Sequence, residues 1–104
     1  MKTETQNQQA QLPGVLLDRM ADMLKILAHA HRLRIVEILE REGALPVHEM
    51  VARLELPQAV TSHHLTSMRR AGLLAAERRG KEVWYSVADP RSLTILHCIR
   101  SKQE

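Results

Sequence analysis

A mainly α-helical fold with one small β-hairpin is the class this sequence predicts, in the order of four helices, two strands and a fifth helix. Three observations predict it. Apolar residues recur at helical spacing from Leu16 to Met68, the pattern switches to alternation between Leu74 and Val87, and an Asp89-Pro90 pair then opens a last helical stretch. The chain has 104 residues, 44% of them hydrophobic, which suits one domain with a modest core and argues against disorder in its body. With no Phe, one Trp and one Tyr, that core must be built from Leu, Ile, Val, Met and Ala.

The elements follow in order. Residues 1–12 are polar and Gln-rich with no apolar signal core, and read as a flexible arm ahead of a domain over residues 13–104. Pro13 and Gly14 mark the start of the first helix. There Leu17, Met20, Leu24 and Leu27 recur at heptad-like spacing, widened by Leu16 and Met23. A second helix follows His29-Ala30-His31; Leu33, Ile35, Val36, Ile38 and Leu39 wrap most of it, which predicts a central, buried position ending at Gly43. A short third helix carries Val47, Met50, Val51 and Leu54 on a single face. Leu56-Pro57 breaks it, and a fourth helix begins at once and runs to about Ala71-Gly72. Two short helices joined by so tight a turn make a helix-turn-helix.

On the fourth helix the inward arc is Thr61, His64, Leu65 and Met68; the opposite face carries Ala59, Ser62, His63 and Thr66, with no acidic residue. Strands from Leu74 to Arg78 and from Glu82 to Val87 flank Arg79-Gly80-Lys81, a Gly-containing hairpin signal. Asp89 is a natural N-cap and Pro90 suits the first helical position of the last helix. That helix carries Leu93, Ile95, Leu96 and Ile99 on two sides, more apolar surface than its own domain hides, which predicts a partner.

A helix-turn-helix followed by a hairpin puts one helix into a major groove and a wing beside the backbone. Short polar side chains let that helix approach base edges closely. Gln58, Ala59, Ser62, His63 and Thr66 are therefore the candidate base-reading residues of duplex DNA. Arg69, Arg70, Arg78, Arg79 and Lys81 are the candidate phosphate contacts. The formal charge is only +3, from 15 Lys and Arg against 12 Asp and Glu, yet five of those 15 fall within residues 69–81 beside the single acid Glu77.

The stretch from Leu56 through Ser62-His63-His64-Leu65 to Arg69-Arg70-Ala71-Gly72-Leu73 resembles the recognition helix of the ArsR/SmtB family, with its Ser-x-His-Leu core and Arg-x-Ala-Gly-Leu exit. Leu27-Ala28-His29-Ala30-His31-Arg32-Leu33-Arg34-Ile35 is similar to the start of that family's second helix. Gly80-Lys81-Glu82-Val83-Trp84-Tyr85-Ser86-Val87 is similar to its wing strand. The resemblance runs in register over roughly residues 16–100. It implies a winged helix-turn-helix homodimer, joined through the first and last helices, that represses transcription until an inducer relieves it. Leu16, Met20, Met23, Ile95, Leu96 and Ile99 are the interface candidates.

The departures bear on the inducer. Pro46 and His48 stand where many members carry a Cys-x-Cys pair. Asp89 is kept, but Arg91 and Lys102 occupy the histidine positions of the last-helix zinc site. Neither metal pattern survives, no cofactor is expected, and no motif specifies the inducer. Cys98, the one cysteine, excludes an intrachain disulfide, suits a reducing cytoplasm and is a candidate redox residue. His29 and His31 would stand about 200° apart if helical and would not converge, although a dimer doubles every ligand. No apolar run reaches the ~20 residues a membrane span needs. No nucleophile–base pair or phosphate loop suggests an enzyme. A protein-interaction module without DNA readout stays open as the alternative, as does a thiol- or metal-responsive member of the same family.

Overall fold

The computed structural model describes residues 10–102, so most of the expected arm, residues 1–9, lies outside the described residues. The first helix, α1, spans Gly14–Leu27 and follows Pro13 in extended backbone. His29, also extended, caps α2 (Ala30–Glu42): its Nδ1 accepts the His31 backbone N–H at 3.3 Å. In α2, Ile35 and Val36 are fully buried and Ile38 and Leu39 nearly so, the central position that its all-round apolar pattern predicted. Gly43 ends it at φ 80°, with its N–H returning to the Leu39 carbonyl.

Next come a two-residue strand, β1 (Leu45–Pro46), and the short helix α3 (Val47–Leu54). Glu55 in the left-handed region (φ 57°) and Pro57 then turn the chain into α4 (Gln58–Arg70). The exit of α4 is a Schellman motif. Leu73 N–H bonds the Met68 carbonyl at 2.9 Å and Gly72 N–H the Arg69 carbonyl at 3.0 Å, with Gly72 at φ 84°. Met68 and Leu73, the apolar pair that accompanies this motif, are both fully buried. The Ala-Gly-Leu exit is thus a stop signal whose leucine also anchors the helix end in the core.

Strands β2 (Leu74–Arg79) and β3 (Glu82–Val87) pair antiparallel, Arg79 opposite Glu82, leaving a two-residue loop. Only Gly80 of that loop has positive φ, as a type II′ turn requires at its first position. The sheet is three-stranded rather than a lone hairpin: β1 adds to the other side of β3, Leu45 opposite Tyr85 and Pro46 opposite Trp84. Two residues are too few to show an alternating pattern, and an edge strand tolerates Pro46.

The last helix, α5, spans Arg91–Ser101. Asp89 caps it as expected: its Oδ1 accepts the Arg91 N–H at 2.9 Å, while Pro90 adopts helical angles. The Arg91 guanidinium also grips the Asp89 carboxylate and holds its pKa below 3.8. Glu40 of α2 bonds His97 at 3.0 Å and Arg100 at 2.8 Å, tying α5 to the central helix. Among the described residues no helix is long and apolar enough to cross a membrane.

Candidate nucleic-acid interface

Helix α4 is buried along the arc its sequence predicted, at Thr61, His64, Leu65 and Met68. The opposite arc is open. Gln58, Ala59 and His63 are exposed, and Ser62 and Thr66 are half-buried. Gln58 opens the helix, so its first two turns project a primary amide, a methyl group, a hydroxyl and an imidazole with no acid among them. The amide, the hydroxyl and the imidazole are able to donate to or accept from base edges at close approach, and the methyl group offers an apolar contact.

The cations around this face fall into two kinds. Arg69, Arg70, Arg78 and Lys81 are exposed and, among the described residues, make no ion pair or side-chain hydrogen bond. Arg79 is already engaged. It bonds the Glu77 carboxylate at 3.0 Å, and its guanidinium carbon sits 4.5 Å from the Trp84 ring centroid. The register explains the split: Glu77 pairs with Trp84 and Arg79 with Glu82, so these side chains share one face of the hairpin, while Arg78 stands on the other face with Val83. Arg79 therefore stiffens the wing, whereas Arg78 and Lys81 are its unpaired cations. His48 of α3 bonds Glu82 at 2.9 Å and ties the wing to the helix-turn-helix.

Behind α4 lies a cluster that sequence spacing did not anticipate. His29, His31 and His64 form a triangle with ring centroids 4.6 to 5.8 Å apart, and His63 lies 6.2 Å from His64. The helical-wheel argument fails because His29 is the extended cap, outside the helix, and its ring folds back over the first turn. Arg32 organises the cluster: its Nε donates to His64 Nδ1 at 3.0 Å, and its Nη1 donates to the Ile26 carbonyl at 3.2 Å. Burial first, then the Arg32 charge and the neighbouring imidazoles, pulls the His64 pKa down from 6.5 to about 4. Neutral His64 accepting from Arg32 thus clamps α4 to α2. With Arg32 on His64 Nδ1 and the His31 N–H on His29 Nδ1, two ring nitrogens are already taken; among the described residues no three potential ligands are arranged to hold a metal ion.

The expected interface residues are unequal. Met23 and Leu96 are 5% and 8% exposed, so they serve the core of their own chain. Leu16, Met20 and Ile95 are half-buried, and Ile99 is 51% exposed. The open apolar surface of α1 lies instead at Val15, Leu17 and Leu24. Leu24, Leu33, Ile95 and Ile99 line an apolar groove of about 270 Å³ between α1 and α5. Cys98 is exposed on α5, next to Ile99.

Comparison with known proteins agrees with this architecture. Residues 29–76, from the α2 cap to the middle of β2, match the family model for bacterial regulatory proteins of the arsR family. The chain is 40% identical over 87 residues to the transcriptional repressor PagR of Bacillus anthracis, covering 84% of this chain and 87% of that protein. It is 42% identical over 77 residues to the HTH-type transcriptional repressor SmtB of Mycobacterium tuberculosis, covering 74% of this chain but 56% of that one. The crystal structure of PagR superposes with a TM-score of 0.77 at 36% identity, covering 84% of this chain and 99% of that one. With a match over most of its length, the chain belongs to the ArsR family of bacterial regulatory proteins, and is a transcriptional regulator rather than an enzyme.

Proposed function

We propose that this regulator is a cytoplasmic homodimeric repressor that reads a specific duplex operator with the open face of α4 and lets go when an effector binds. One observation carries the reading: an exposed, acid-free helix face bordered by four unpaired cations. Gln58, Ala59, Ser62, His63 and Thr66 read bases. Arg69, Arg70, Arg78 and Lys81 hold phosphates, and Arg79 keeps the wing in shape. The exposed leucines of α1 and Ile99 of α5 join two copies, so that two recognition helices meet successive major grooves.

Base contacts specify and phosphate contacts position, so the two sets fail differently. Ser62→Ala or His63→Ala should cost about 1–3 kcal/mol on the operator and little on scrambled duplex. Arg78→Ala or Lys81→Ala should weaken both duplexes alike and lower the salt slope by about one per lost contact. Arg79→Ala should change Trp84 fluorescence while moving the salt slope less than Arg78→Ala. Titration of operator and scrambled duplexes at several salt concentrations reads all three. Salt-insensitive binding, or helix variants that weaken both duplexes equally, would overturn the assignment.

A further inference from the structure

A cleft of about 600 Å³ lies between α1 and the C-terminal end of α4. Its cations are Arg19 and Lys25 of α1 and Arg70 of α4, exposed and without an ion-pair or side-chain hydrogen-bond partner among the described residues. Asp22 is the one acid on its wall. The floor is apolar: Met23 is buried and Ile26 half-buried. An apolar floor under a few converging polar groups, at this volume, is the usual make-up of a small-molecule site. Three cations against one acid select an anion. A helix C-terminus carries partial negative charge, so attraction must come from the side chains alone.

The cleft is also separate from the apolar face offered for dimerisation. Leu17 precedes Arg19 by two residues and Leu24 follows Asp22 by two, and two residues turn a helix by about 200°. A dimer formed through those leucines faces away from Arg19 and Asp22, with Lys25 at its edge. An occupant bridges α1 to the end of the recognition helix, and pairing with Arg70 takes that guanidinium away from an operator phosphate.

We infer that this cleft binds a small organic anion with an apolar body, and that its occupancy lowers affinity for DNA. The second half rests on the repressor reading above; the first does not. A ligand shifts the equilibrium only by binding the DNA-free protein more tightly, and competition for Arg70 supplies that difference.

The test uses the full chain with 1-naphthoate as probe, and neutral 1-naphthalenemethanol and inorganic phosphate as comparators. Amide chemical shifts locate binding without any DNA. The expected result is naphthoate shifts at Arg19, Lys25 and Arg70, with both comparators binding about tenfold more weakly or worse, as loss of a charge-assisted contact or of the apolar floor predicts. An Arg19→Ala, Lys25→Ala variant should lose naphthoate by a similar factor while keeping its operator affinity and salt slope. Equal binding of the neutral alcohol, or shifts centred on Leu24 and Ile99, would overturn the site. A fall in the salt slope of the double variant would make these cations phosphate contacts and overturn the effector role. So would naphthoate that fills the cleft yet leaves operator affinity unchanged. Failure of the chain to bind duplex DNA would sink the repressor reading and leave the cleft result standing.

Discussion

At the scale of single residues, His64 shows how one protonation state is built into the fold. Its Nδ1 accepts from Arg32, so the ring must be neutral for α4 to stay clamped to α2. The folded pKa of about 4 lies below the ordinary 6.5, so the unfolded chain takes up the proton first as pH falls. Stability should therefore drop between pH 6.5 and 4, by about 2–3 kcal/mol in all. Asp89 and Glu40, whose carboxyls are held below 3.8 and 4.5 by Arg91 and by Arg100, contribute stability that is lost only under more acid conditions. The upper part of the window belongs to His64. Urea midpoints measured from pH 7 to 4.5 should fall steadily in the parent chain. They should stay nearly flat in His64→Asn, whose amide oxygen can still accept from Arg32; an equal slope in both would refute the clamp.

At the scale of elements, the boundaries are set by backbone chemistry as much as by apolar pattern. Gly72 holds the left-handed position that closes α4, and a Cβ there meets nothing within 4 Å, so replacing it costs conformation rather than space. Gly72→Ala should destabilise the chain by about 1 kcal/mol. Gly14, in the first turn of α1 with a negative φ and equally open space, should behave oppositely: Gly14→Ala should be stabilising by a few tenths to about 1 kcal/mol. Paired thermal melts decide it, and a neutral Gly72→Ala would mean that the left-handed turn is not what stops the helix. The wing follows similar logic. Its two-residue loop turns on Gly80, and its outer face is braced by the Glu77–Arg79–Trp84 stack.

At the scale of the whole molecule, burial decides which apolar residues are free to meet a second copy. Leu96 lies in the chain's own core, so Leu96→Glu would unfold the protein rather than test the dimer. Leu24 and Ile99, 46% and 51% exposed, are the positions to change. Leu24→Glu with Ile99→Glu should keep the helical circular dichroism of the parent while sedimentation shifts to monomer at micromolar concentration. Operator affinity should fall with it, because the two half-site contacts are no longer linked. A double variant that sediments as a dimer would move the interface elsewhere.

Much of this was legible in the sequence because the signals are local. Helical spacing fixes which side of α4 faces inward, at Thr61, His64, Leu65 and Met68, and therefore which side is left open. Gly43, Pro57, Gly72 and Asp89 set element ends within a few residues of themselves. Tertiary structure decided what depends on groups distant along the chain. β1 exists only because β3 offers it an edge, some 40 residues later. Arg78 and Arg79 point to opposite faces by strand alternation, but only pairing with β3 sets Trp84 beside Arg79 and Val83 opposite Arg78. His29, His31 and His64 meet because a cap residue leaves the helix, and Arg19 and Arg70 line one cleft because α1 packs against α4. Periodicity reports the direction a side chain takes from its own element; only packing determines what waits there.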